Sequence, residues 1–76
     1  MTIDHESGEP LYMQLAAILR ERIRSGDITS RVPSIKTLTQ EYGVSHITAE
    51  SAIDVLKAED LIYTTVGKGS YVKRRD

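Results

Sequence analysis

Apolar residues in this 76-residue chain recur every three to four positions as far as Leu56, and the rhythm shortens to two after Asp60. Leu11, Leu15, Ile18, Leu19 and Ile23, with Tyr12 and Ala16 beside them, trace one buried face of a helix. Pro10 stands where that helix starts, a place that tolerates its missing N–H, and Gly26 stops it just past Ser25. A connector over 27–33 follows, with room for a short strand near Arg31-Val32. Ser34 then offers a side-chain oxygen to the free amides of a second helix, whose buried face is Ile35, Leu38 and Tyr42 and whose end is Gly43. Only Gly43 and Val44 separate that end from Ser45, the cap of a third helix that buries Ala49, Ala52, Ile53 and Leu56.

Two short helices around a turn containing glycine form a helix-turn-helix, in which the second helix enters the DNA major groove. The other side of the third helix carries Ser45, His46, Ile47, Thr48, Ser51 and Asp54, with Glu50 near the boundary. Small polar side chains at the start of such a helix suit base edges. Beyond Asp60, Leu61–Val66 and Ser70–Lys73 are rich in β-branched and aromatic residues, and Gly67-Lys68-Gly69 joins them as a hairpin loop. A lone hairpin is marginal in water, so this one must pack on the helices. The expected fold is α+β: a winged helix-turn-helix of three helices followed by a β-hairpin wing, with Lys68 at the wing tip.

Composition changes this picture little. With no cysteine, neither a disulfide nor a thiolate metal site can staple the chain, which fits a reducing cytoplasm. No signal peptide opens it, no apolar run is long enough to span a bilayer, and no membrane partner is expected. The net charge of −1 lacks the basic excess of a nucleic-acid binder. Asp4, Glu6 and Glu9 account for much of this; without them ten basic side chains face eight acidic ones. Lys73, Arg74 and Arg75 read equally as a linker or as a phosphate clamp. On charge alone, a solvated surface with a basic tail and a DNA footprint look the same.

Nothing in the chain spells catalysis or a cofactor. His5 and His46 are far apart and no metal-ligand spacing is present. Glu59-Asp60 reads as a helix C-terminus rather than a carboxylate pair. Gly67-Lys68-Gly69-Ser70 lacks the glycine spacing of a phosphate-binding loop and precedes a strand, not a helix. Tyr42 reads as core, and Tyr63 and Tyr71 as wing packing.

Taken in order, Pro10-Leu11-Tyr12 with Gln14-Leu15, Gly26-Asp27-Ile28, Arg31-Val32-Pro33-Ser34, Tyr42-Gly43-Val44-Ser45, Ala52-Ile53 with Leu56, Leu61-Ile62 and the wing Gly67–Val72 form a recognisable series. The chain resembles the DNA-binding domain of the GntR family of bacterial regulators from Pro10 to about Lys73. The resemblance implies a dimeric cytoplasmic transcription regulator that binds double-stranded operator DNA. It also implies a repressor, controlled by a small-molecule effector domain that is absent here and holds the homodimer together. On that pattern residues 1–9 are a flexible lead-in, 10–73 the DNA-binding domain and 74–76 the start of a linker. The family touches DNA with a basic residue two positions after Ser34, with the start of the recognition helix and with the wing. Here those positions are Lys36, then His46 and Thr48, then Gly67 and Lys68.

The positioning candidates are therefore Ser34, Lys36, Lys57 and Lys68, with Ser45 as a cap whose amides can face a phosphate. The reading candidates are His46, Thr48 and Ser51. His46 and Glu50 stand where the family usually has arginine, and the connector has Thr29-Ser30 in place of a longer proline-glycine turn. Glu50 is repelled by phosphates and at a base edge can accept only from cytosine N4. If it faces solvent instead, its partner is Lys57 or a side chain of the first helix. The rival is a winged helix used as a protein-interaction module, in which the glycine-lysine wing tip would serve no purpose.

Overall fold

A computed structural model describes residues 3–6 and 8–73; the linker assigned to 74–76, with Arg74 and Arg75, lies outside the described residues. Three helices, α1 (Leu11–Arg24), α2 (Ile35–Tyr42) and α3 (His46–Ala58), precede strands β1 (Ile62–Thr65) and β2 (Gly69–Val72). This is a winged helix. Helix α1 lies mainly against α3, α2 packs on α3, and the antiparallel β1–β2 ribbon leans on α3. Leu15, Leu19, Leu38, Leu56 and Val32 are fully buried where these elements meet. No helix among the described residues is long and apolar enough to cross a membrane.

Local chemistry sets the boundaries. The Thr37 N–H donates to Ser34 Oγ and the Thr48 N–H to Ser45 Oγ, each at 3.1 Å, so both serines cap their helices. Helix α2 ends because Gly43 takes the left-handed conformation (φ 65°) while its N–H returns to the Thr39 carbonyl at 3.0 Å. Glycine alone enters that region without steric cost. Asp60 (φ 63°) makes the corresponding turn after α3, as short polar residues can. Its carboxylate accepts from Lys73 Nζ at 2.7 Å, drawing the ends of the wing together.

Four expectations need correction. Pro10 is the N-cap of α1 rather than its first helical residue; its carbonyl accepts from the N–H groups of Met13 and Gln14. The hairpin loop is Val66-Gly67-Lys68, one residue earlier than read, because Thr65 pairs with Gly69 in the ladder. Tyr12 and Ile23 flank the buried face of α1 rather than filling it: Tyr12 is exposed and Ile23 half-buried. Finally, the described residues of the lead-in, 3–6 and 8–9, include ones that make specific contacts with α1 and the core. Ile3 joins the core, and the Gln14 side chain accepts from the Asp4 N–H (2.8 Å) and donates to the carbonyls of Asp4 and Glu9 (both 2.9 Å). A single apolar residue among acidic ones gave no periodic signal of this.

The connector does contribute to the sheet, through one bridge between Arg31 and Tyr71. Val32 donates to the Ser70 carbonyl at 2.9 Å and Val72 to the Ser30 carbonyl at 2.7 Å. The segment entering α2 is thereby fixed to the wing.

Candidate nucleic-acid interface

The start of α2, the first turns of α3 and the wing carry the residues expected to meet DNA. Both caps have the same internal geometry: the Ser34 hydroxyl donates to Thr37 Oγ1 at 2.9 Å and the Ser45 hydroxyl to Thr48 Oγ1 at 3.0 Å. Each hydroxyl therefore satisfies a backbone amide and a neighbouring side chain at once. Lys36 follows Ser34 on the exposed first turn of α2 and has no ion-pair partner among the described residues.

On α3, His46 Nε2 stands 3.2 Å from Glu50 Oε1, one helical turn apart. Glu50 is thus engaged within α3; neither Lys57 nor α1 is its partner. Lys57 pairs instead with Asp54 at 3.6 Å, because side chains three residues apart are neighbours, whereas those seven apart share a face but stand two turns, about 10.5 Å, from each other. Thr48 and Ser51 are half-buried. A shallow groove between α3 and the wing is lined by Glu50, Asp54, Lys57, Thr64 and Ser70, with Ile35 of α2 and Ile53 at its floor. The structure therefore brings Glu50 and Lys57 to the wing side of α3, and Lys68 to the hairpin tip beyond.

Several contacts hold the wing. The Tyr63 and Tyr71 rings stack at 5.8 Å, and the Tyr71 hydroxyl donates to the Lys68 carbonyl at 3.5 Å. Lys68 has no ion pair among the described residues, and Gly67 and Gly69 give its turn positive φ angles of 78° and 113°. Arg31 was not among the DNA-contact candidates. Its guanidinium lies against the wing backbone, with Nη2 3.7 Å from where a Cβ on Gly69 would stand, and it too lacks an ion pair among the described residues. The single bridge to Tyr71 puts it there; the short strand expected near Arg31-Val32 did not reveal which strand it would join.

Away from this face, acidic and basic groups pair off. Glu59 receives two hydrogen bonds from Arg20 (2.8 and 2.6 Å), which tie α1 to the end of α3. That guanidinium holds the Glu59 carboxyl below its ordinary value, and the same bond raises Arg20. Arg22 reaches Asp27 (2.7 Å), the Tyr42 hydroxyl (3.0 Å) and Glu41 (3.4 Å), and the Asp27 bond leads in raising it. Half-buried Tyr42 thus serves the α1–α2 junction, as its core reading required.

Three helices around a capped turn, with a two-stranded wing packed on the third, define a DNA-binding domain of the winged helix-turn-helix class. The chain belongs to the GntR family: the family model, bacterial regulatory proteins of the gntR family, matches residues 11–72. This is a family of DNA-binding transcription regulators rather than enzymes. Among curated relatives, the mannosyl-D-glycerate transport/metabolism system repressor MngR of Escherichia coli is 34% identical over 86% of this chain. That match spans 28% of MngR, and the chain covers less than a third of the curated relatives it matches first. Among solved structures, YtrA from Sulfolobus acidocaldarius, a GntR-family transcription factor, aligns with a TM-score of 0.88 at 31% identity, over 99% of this chain and 81% of its own. The AraR DNA-binding domain in complex with operator ORE1 aligns with a TM-score of 0.83 at 30% identity, over 92% and 88% respectively.

Proposed function

We propose that this domain binds a double-stranded operator sequence-specifically, with the first turns of α3 in the major groove and the wing tip on the flanking backbone. The observation that carries this reading is where the unpaired cations stand. In a chain of net charge −1, four cations carry no ion pair among the described residues. Arg24 ends α1 within the field of Glu59, while the other three gather on one side: Arg31 in the connector against the wing, Lys36 on the first turn of α2 and Lys68 at the wing tip. These three position the domain on phosphates, together with the capped helix starts at Ser34 and Ser45 and with Lys57 once it leaves Asp54. His46, Thr48 and Ser51 read bases, Glu50 tunes that reading, and Gly67 lets the wing backbone come close.

The domain spans residues 10–73 and serves as the DNA-binding part of a longer cytoplasmic repressor, which dimerises through a small-molecule effector domain following residue 73. Family relatives named as repressors and an operator-bound structural neighbour support this. The test is selection of bound duplexes from a random pool at stated salt, followed by titration. Two half-sites about one helical turn or a multiple apart, and affinity for random DNA that falls steeply with salt, are the expected results. Binding indifferent to both sequence and salt would refute the proposal.

A further inference from the structure

Isoleucine is among the residues most often buried, yet Ile47, second in α3, is 76% exposed. A single exposed apolar residue is ordinary on a protein surface, and Tyr63 and Val66, on the wing, are exposed too. What distinguishes Ile47 is its neighbours. Ser45 is occupied by Thr48, both through the backbone N–H and through its hydroxyl, so of these two hydroxyls only that of Thr48 keeps a proton free to donate outward. The His46 ring is engaged by Glu50. The polar side chains at the start of the recognition helix are thus partly engaged with one another, and between them Ile47 presents a bare hydrocarbon.

The major-groove edges of the four base pairs offer donors, acceptors and a single apolar group, the C5-methyl of thymine. An isoleucine cannot satisfy a donor or an acceptor, and setting it against one would strip that group of water without return. Resting on the operator-binding reading above, we infer that Ile47 is a specificity-determining residue that selects thymine through its C5-methyl group. Covering one methyl group is worth about fourfold in affinity, the ~0.8 kcal/mol of a buried carbon converted at about 1.4 kcal/mol per tenfold.

The experiment compares the 76-residue chain with its Ile47→Ser and Ile47→Val variants on the duplex selected from a random pool. Each thymine is replaced in turn by deoxyuridine, which removes only the methyl. Ile47 is exposed, so all three proteins should unfold at the same temperature. The expected result is one thymine at which deoxyuridine costs the parent and the valine variant about fourfold and costs the serine variant nothing. Equal losses for parent and serine variant at every thymine would show that another residue reads the methyl, and would overturn the inference. A selected site in which no thymine is sensitive overturns it equally. In both cases the salt-dependent binding of duplex DNA persists, so the operator-binding reading stands. If none of the three proteins binds duplex DNA, that reading fails and the inference with it.

Discussion

Replacing Glu50 by arginine asks directly whether the wing-side face of α3 meets DNA. The carboxylate is exposed, and among the described residues it meets the His46 imidazole at 3.2 Å, an ion pair only when that ring is protonated. The folding cost of removing it is therefore small, at most the ~0.3–0.5 kcal/mol of an exposed pair one helical turn apart. The binding consequence is larger, because a repelled charge becomes an attracted one. One added phosphate contact steepens the logarithmic salt dependence by about 0.9, so the variant should lose about 3.5-fold more affinity than the parent between about 50 and 200 mM salt. If the guanidinium reaches a guanine, a bidentate contact adds ~1–3 kcal/mol of preference for that base, about five- to 140-fold at 1.4 kcal/mol per tenfold. Fluorescence anisotropy of parent and variant on selected and random duplexes, at the two salt concentrations, reads all of these terms. Tighter binding to random DNA with a smaller ratio between selected and random duplexes is the expected outcome. Superimposable curves on both DNAs would refute the placement of this helix face against the groove.

Other substitutions probe the remaining steps. Lys68→Ala should weaken binding to every duplex alike and make the salt slope shallower by about one unit; a loss confined to one DNA sequence would make Lys68 a base reader instead. Leu38→Ala empties a fully buried position under α2 and should cost about 2–5 kcal/mol in urea unfolding, whereas a cost below about 1 kcal/mol would mean that α2 is not anchored there. Glu59→Gln tests the Arg20 clamp. Because the Glu59 carboxyl is lowered from 4.5, its stabilisation is present above that pH and fades as pH falls through the folded-state value. The parent should then exceed the variant by less than about 1 kcal/mol at neutral pH, since the pair is exposed. That difference should vanish in acid unfolding series, and one independent of pH would contradict the assignment.

The fold was legible because its information is local. Ser34, Gly43 and Ser45 act within one turn of themselves, and the apolar stripes of α1, α2 and α3 need only a period. What was not legible depends on partners distant in sequence. Arg20 finds Glu59 across 39 positions, Ile3 reaches the core through the Gln14 side chain, and Arg31 meets the wing through Tyr71. The one-residue shift of the hairpin loop has the same origin. Glycines fix that a turn exists, but the register is set by Ile62 opposite Val72 as β1 packs on α3. For the candidate site, the sequence placed the expected residues on the start of α2, on α3 and on the wing, and the structure has those elements there. Sequence could not foresee that Glu50 would take His46, that Lys57 would take Asp54, or that the intervening Ile47 would be left outermost.

Those pairings also explain how a chain of net charge −1 can be built for DNA. Fields around exposed charges decay within about 8–10 Å at physiological salt, so a phosphate responds to the side chains it approaches and not to the total. Asp27 and Glu41 are held by Arg22, Glu59 by Arg20 and Asp60 by Lys73, which removes four carboxylates from the account at sites away from the reading turn. What a phosphate would find along the start of α2 and the wing is Lys36, Arg31 and Lys68. Glu50 and Asp54 remain beside the groove between α3 and the wing, where they oppose indiscriminate attraction. Non-specific affinity grows with the number of phosphates neutralised, while discrimination comes from base edges. A domain with few free cations, a carboxylate at the groove and an apolar side chain leading its recognition helix is therefore weighted toward discrimination. On the dimeric reading proposed above, joining two such domains on paired half-sites supplies the occupancy, because linkage raises affinity without adding a cation to either.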